Sequence, residues 1–358
     1  MKRIITAILV VLLATALFGC TQNQNTSDIL EKENSIEKIK IVTTLFPQYD
    51  FTRQIAGDKA EIALLLPPGA ESHSYEPTPS DIISINKADV FIYTGKYMEP
   101  WADKIIQSID SDTVNILDVS SGIPLDKEEH EHEHDEHDEH DEHENEEHED
   151  EEHEDESIAE GEVGHNHEYD PHIWTSPVIA KKMVDNIAAS LCYVDTKNAS
   201  YYISNAENYK KQLDSLDAEF TDIVNNSARN KIYFGGRFAL HYFAEEYGLE
   251  YKSAYDNCSS ETEPSVHDIA EIIDEINEYN IPTIYYEELT DPKVSRSISE
   301  DTGVEMLLFH SCHNISKTDF DNGVTYLDLM KQNAENLKKG LKWYDAVIEM
   351  WQFKFLLW

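Results

Sequence analysis

The sequence predicts an α/β fold of two similar parallel-sheet lobes joined by one long rigid helix. Three observations carry this. Short β-branched segments alternate with amphipathic segments over residues 39–119, and the alternation returns over residues 231–309. Between them, residues 197–226 hold a helical pattern with no Gly or Pro. Strands separated by helical segments of about 8–12 residues argue for a parallel sheet covered on both faces.

In the first half, Ile39–Leu45 reads as a strand, Pro47–Ala56 as a helix closed by Gly57, and Glu61–Leu66 as a strand broken by Pro67-Pro68-Gly69. Pro79–Lys87 is a helix, Asp89–Thr94 a strand, Glu99–Ile109 a helix and Val114–Val119 a strand. After an acidic interruption, Ser176-Pro177 start a helix with Pro where its missing N–H costs nothing. Ile179, Met183, Ile187 and Leu191 form its apolar face. Tyr202, Ala206, Tyr209, Leu213, Leu216, Phe220 and Ile223 mark the long helix.

The second half repeats the scheme. Lys231–Phe234, Glu250–Ala254, Thr283–Glu287 and Glu305–Phe309 are strands. Arg237–Tyr247, Pro264–Tyr279, Lys293–Thr302 and Tyr326–Ile348 are helices, the second capped by Ser265 with Asp268 three residues on. The expected division is a leader at 1–20, a tether at 21–38, a first lobe at 39–195, a linking helix at 196–227 and a second lobe at 228–350. The acidic loop at 126–168 lies inside the first lobe.

That loop is the compositional anomaly. Ten of the sixteen histidines lie between Glu128 and Asp170, interleaved with Asp and Glu. The segment has too little apolar surface to offset the entropy of ordering it. Imidazole and carboxylate together suit borderline divalent metals, zinc above all. His130-Glu131-x-x-His134 matches a zinc-protease pattern in form, but no apolar helical face supports it. The formal net charge of −43 argues against nucleic acid and anionic lipid surfaces as partners and in favour of cations.

Lys2 and Arg3, an apolar core over Ile4–Phe18, then Gly19 and Cys20 read as a secretory leader. Leu17-Phe18-Gly19-Cys20 resembles a bacterial lipobox, which makes Cys20 the expected lipidation site and places the body outside the cytoplasm, tethered to a membrane rather than spanning it. Of the other cysteines, Cys192 falls on an apolar helix face, while Cys258 and Cys312 lie in loops and are expected to form a disulfide.

In open α/β sheets ligands sit beyond the C-terminal strand ends. His73 follows strand 61–66, His172 ends the acidic excursion, His241 follows strand 231–234, and His310 and His313 follow strand 305–309. A single loop histidine is most often a hydrogen-bonded structural residue. These fall together where two lobes would form one cleft, His73 and His172 from the first and His241 and His313 from the second.

These segments carry a resemblance. Gly69-x-x-x-His73-x-x-x-Pro77, Asp170-Pro171-His172-Ile173-Trp174, His241-x-Phe243-x-x-x-Tyr247-Gly248 and Tyr326–Leu337 resemble the zinc/manganese substrate-binding lipoproteins of bacterial ABC importers, over about Ile39 to Leu341. The resemblance implies a metal held between two lobes by His73, His172 and His241. The family usually places Asp or Glu fourth, where this chain has His313; His310 and Glu287 are the alternatives. Imidazole donors favour Zn²⁺ as the carried ion, and manganese is the poorer match. A fully protein-ligated ion leaves no open position for an activated water, so the chain is expected to carry metal and not to be an enzyme. An ABC permease with its ATPase is the implied partner of a monomeric receptor. A surface metal buffer, an adhesin on the same scaffold and a zinc hydrolase are the rival readings.

Overall fold

The computed structural model describes residues 38–72, 74–109, 113–127, 169–255 and 263–341. The predicted leader, tether, Cys20 lipidation site and acidic run therefore lie outside the described residues, as do His73 and Cys258.

The first sheet is built from β1 (Ile39–Thr43), β2 (Ala60–Leu64), β3 (Val90–Tyr93) and β4 (Asn115–Asp118) in the order β2-β1-β3-β4. The second uses β5 (Lys231–Phe234), β6 (Glu250–Ser253), β7 (Thr283–Tyr286) and β8 (Glu305–Leu308) in the order β6-β5-β7-β8. The pairs β1–β3, β3–β4, β5–β6, β5–β7 and β7–β8 are all parallel. In both sheets the second strand lies on one side of the first and the third on the other, so the switch point falls between the first and third strands, and a crevice opens beyond their ends in such sheets. Each has its own core, Val42, Phe91 and Ile105 among others in one and Tyr233, Ile284 and Ile298 in the other.

The helices are α1 (Phe46–Ala56), α2 (Pro79–Ile85), α3 (Ala102–Ile106), α4 (Pro177–Val194), α5 (Ala199–Asn225), α6 (His241–Tyr247), α7 (Val266–Tyr279), α8 (Lys293–Thr302), α9 (Lys317–Asp321) and α10 (Tyr326–Gly340). Their starts are written in side chains. Thr78, Ser176, Ser265 and Thr325 accept the N–H of residues 81, 179, 268 and 328. Gly248 and Gly303 end α6 and α8 in the left-handed conformation, at φ 63° and 77°. The 27 residues of α5 span about 40 Å. This helix packs on α1 and α4 of the first half and on α10 of the second, with its seven expected core residues buried.

Two helices, α3 and α6, start three and four residues later than their sequence pattern. Residues 99–101 do not join α3, because the Glu99 carboxylate turns inward and accepts the Thr94 N–H at 3.0 Å. Residues 237–240 do not join α6. Gly235 and Gly236 press so closely on Ser295 and Glu287 that a Cβ would sit 2.5 and 1.6 Å from their side-chain oxygens. The chain must clear β7 before it can coil. Helix α9 was not visible in the periodicity, being a single turn capped by Ser316. The part of the closing helix predicted beyond residue 341 lies outside the described residues.

Candidate metal centre

His172 is held by its own local sequence. The Asp170 carboxylate accepts the His172 backbone N–H at 2.8 Å and meets ring Nδ1 at 2.6 Å. Pro171 fixes the backbone between them, and Thr175 closes the turn by donating its hydroxyl to the His172 carbonyl at 2.8 Å. Burial alone would raise the Asp170 pKa, but the adjacent His172 and its hydrogen bonds pull the carboxyl below its ordinary value. An ionised carboxylate can only accept, so Nδ1 carries the proton and Nε2 keeps its lone pair.

His313 reaches the same state by another route. Ser311 Oγ lies 2.6 Å from His313 Nδ1 and donates its single proton to Glu288 Oε1 at 2.5 Å. With that proton spent, Oγ must accept from Nδ1–H, and Nε2 again keeps the lone pair. Glu288 also accepts the Ser311 backbone N–H at 2.8 Å. Two carboxylates therefore fix two tautomers, one directly and one through a hydroxyl.

The two rings meet edge to face with centroids 4.5 Å apart. Trp174, fully buried, walls them in at 5.5 Å from His172 and 5.0 Å from His313, and its indole N–H donates to the Ser311 carbonyl at 2.8 Å. Tyr326 on α10 donates to the Trp174 carbonyl at 2.7 Å, and the Phe46 N–H reaches the His313 carbonyl at 3.3 Å. These bonds join segments from both halves of the chain. A cavity of about 160 Å³ adjoins His313, lined also by Gly69, Glu71, Ser72, Arg237 and Glu287.

His73 lies outside the described residues, but the loop that leads to it is pinned beside His313. Asn314 donates to the carbonyls of Pro67 and Ala70 at 2.8 and 2.9 Å, and the Gly69 N–H bonds the Ile315 carbonyl at 2.8 Å. Gly69 sits at φ 87°, a conformation that side chains rarely allow.

His241 is the first residue of α6. Its ring is about one-third exposed, and Nε2 points at Asp126 Oδ2 (3.5 Å) and Glu245 Oε2 (4.0 Å). Among the described residues, Asp126, His241 and Glu245 are the one set of three potential metal donors lying within 4.8 Å of one another.

The alternatives for a fourth donor are placed differently. His310 is buried, and its Nδ1 accepts the Cys312 N–H at 2.9 Å, so that nitrogen is committed. Asn333 clamps the His310 backbone from both sides, at 2.7 and 2.8 Å. Glu287 lines the cavity, and burial raises its pKa.

The expected Cys258–Cys312 disulfide is corrected by the structure. Cys312 is a free thiol, fully buried at φ 63° between His310 and His313. The short loop turns it into the core rather than out to a partner, and its Sγ rests 3.9 Å from the His310 carbonyl. Cys192 is free and half-buried.

Sequence reasoning missed Ser311, Glu288 and Asn314. Spacing held one clue: Ser311 precedes His313 by two residues, as Asp170 precedes His172. Such Asx- and Ser-turns fold a side chain back on the residue two ahead.

Two α/β lobes with paired, pre-oriented imidazoles at their junction define a metal-binding solute receptor. Residues 41–340 match the family described as zinc-uptake complex component A, periplasmic (ZnuA), and the chain belongs to that family. It is 33% identical over 305 residues to the high-affinity zinc uptake system protein ZnuA of Bacillus subtilis, covering 85% of this chain and 88% of that one. It is 31% identical to the zinc-binding lipoprotein AdcA of Streptococcus pneumoniae, across 98% of this chain but 63% of AdcA. Among solved structures, the metal-dependent lipoprotein YcdH of Bacillus subtilis superposes with a TM-score of 0.67 at 30% identity, over 85% of this chain and 99% of that one. The Zn(II)-bound ZnuA-like domain of Streptococcus pneumoniae AdcA gives 0.66 at 27%, with the same coverage.

Proposed function

We propose that this chain is the extracytoplasmic zinc receptor of an ABC importer, lipid-anchored through Cys20, and that it binds one Zn²⁺ between His73, His172, His241 and His313. The observation that carries this reading is the edge-to-face contact of His172 and His313 at 4.5 Å, each with Nδ1 hydrogen-bonded, which places the lone pair on Nε2. Ligands held in advance in one tautomer lose little freedom on binding, which favours tight capture. Imidazole nitrogens around one ion fit tetrahedral zinc and suit manganese poorly. Closure of two lobes on the ion gives the permease a loaded shape to recognise. The long helix α5, packed on both halves, keeps that closure modest. The receptor acts as a monomer that carries metal without transforming it.

Calorimetric titration with zinc and with manganese tests the reading. The full chain is expected to show one tight zinc site above a background of weak ions, and His172→Ala and His313→Ala are expected each to abolish the tight site. Deleting residues 128–167 should remove weak ions and leave the tight one. Tight binding that survives in both histidine variants, or that vanishes with the acidic run, overturns the assignment.

A further inference from the structure

His241 poses a problem that the receptor reading alone does not solve. It is one of the four proposed ligands, yet its Nε2 faces outward to Asp126 and Glu245. Both carboxylates are exposed, Asp126 by 43% and Glu245 by 65% of the side chain. One imidazole nitrogen and two carboxylate oxygens, all within 4.8 Å of one another, need only small side-chain rotations to close on one ion.

The place of this trio is as informative as its composition. Asp126 is the next-to-last residue described before the acidic run, and Lys127, the last, pairs with Tyr169 in an antiparallel bridge. The Asp170 N–H bonds the Asp126 carbonyl at 2.9 Å. Both ends of the run are thus fastened together at the trio. Tyr242, the neighbour of His241, links outside to inside: its hydroxyl accepts the Asp126 N–H at 3.0 Å and donates to the Asp170 carbonyl at 2.8 Å. Asp170 in turn orients His172.

We propose that Asp126, His241 and Glu245 form an outer zinc-receiving site at the neck of the acidic run, from which the ion passes to His172 and His313 with His241 as the shared ligand. The inference rests on the receptor reading. In the transfer, the bonds from zinc to the two carboxylate oxygens break as bonds to the Nε2 lone pairs of His172 and His313 form. No proton moves, because both Nδ1 atoms already hold theirs. Exposure and the paucity of nitrogen donors make the outer site weak, as a site that must release its ion requires.

Stopped-flow mixing of the metal-free full chain with Zn²⁺ tests this, read by the fluorescence of Trp174, which touches both inner rings. Trp174→Phe identifies the signal. Asp126→Asn combined with Glu245→Gln is expected to slow loading about tenfold, and to slow release to a chelator by a similar factor, since both directions use the outer site. Glu300→Gln combined with Glu305→Gln removes the same charge elsewhere and should load at the wild-type rate. Loading of the Asp126/Glu245 variant at the wild-type rate overturns the outer site, as does slowing of the control pair to the same extent. So does slowed loading with normal release, which would make the carboxylates contributors to inner-site affinity. A wild-type chain without tight zinc binding defeats the receptor reading itself, and this inference with it. Tight wild-type binding with unaltered variant kinetics defeats this inference alone.

Discussion

Ser311 Oγ stands 2.6 Å from His313 Nδ1 and hands its own proton to Glu288, so a neutral hydroxyl does for His313 what a carboxylate does directly for His172. The relay makes Ser311 and Asp170 testable without touching a ligand. Ser311→Ala and Asp170→Ala leave Nδ1 unpaired and the ring free to turn. Each is expected to weaken tight zinc binding about 10–100-fold. Competition against a fluorescent zinc chelator measures it, with circular dichroism to confirm the fold.

Zinc affinity should fall steeply as pH drops through about 6.5 towards 5, because each ligating imidazole must be deprotonated. Asp170 is not the cause of that loss. Its pKa is held below the usual carboxylate value, so it stays ionised until the pH falls below that value. Its contribution to folded-state stability is present above the ordinary carboxylate range and is lost only as pH falls through the depressed value. Zinc release near pH 5.5 should therefore precede acid unfolding, and calorimetry with and without zinc across pH 4–7 separates the two.

The architecture was legible because periodicity and caps agreed at nearly every element. Lys231–Phe234 and Lys293–Thr302 end where Gly, Pro and the apolar pattern place their limits. The long helix announced itself by the absence of breakers over residues 197–226. Long-range contacts were not legible. That Asn314 would clasp the Pro67–Ala70 turn, or that Glu288 would orient His313 through Ser311, depends on how two distant loops face each other. No local pattern encodes this. The cysteines show the same limit: loop position suggested a bridge for Cys312, but the turn at φ 63° sends the thiol inward.

Because Cys312 is free and buried, reductant should leave its chemistry unchanged. Alkylation in denaturant without reductant, followed by peptide mass spectrometry, is expected to label Cys312 fully. The native chain should resist the same reagent, since burial also raises the thiol pKa and suppresses the reactive thiolate. A Cys312 peptide found labelled only after reduction would restore the disulfide.

Glu99 offers a sharper test of the first lobe. It is 2% exposed, with Thr44, Gln48 and Thr94 around its carboxyl, beyond the ends of β1 and β3. Burial lifts its pKa to about 8, against the opposing hydrogen bonds from Thr44, Gln48 and Thr94. At neutral pH the folded chain therefore holds a proton that the unfolded chain has released. Between about 4.5 and 8, unfolding sheds that proton, so rising pH favours the unfolded state. Glu99→Gln keeps the shape and the hydrogen-bonding capacity but has nothing to ionise. Its melting temperature should match the wild type near pH 5 and exceed it by a margin that widens up to pH 8, where the wild type must either ionise a buried group or keep the proton at growing cost. Parallel melting curves across that range would mean that the carboxylate is already charged in the folded lobe, stabilised by its three neighbours more than burial disfavours it.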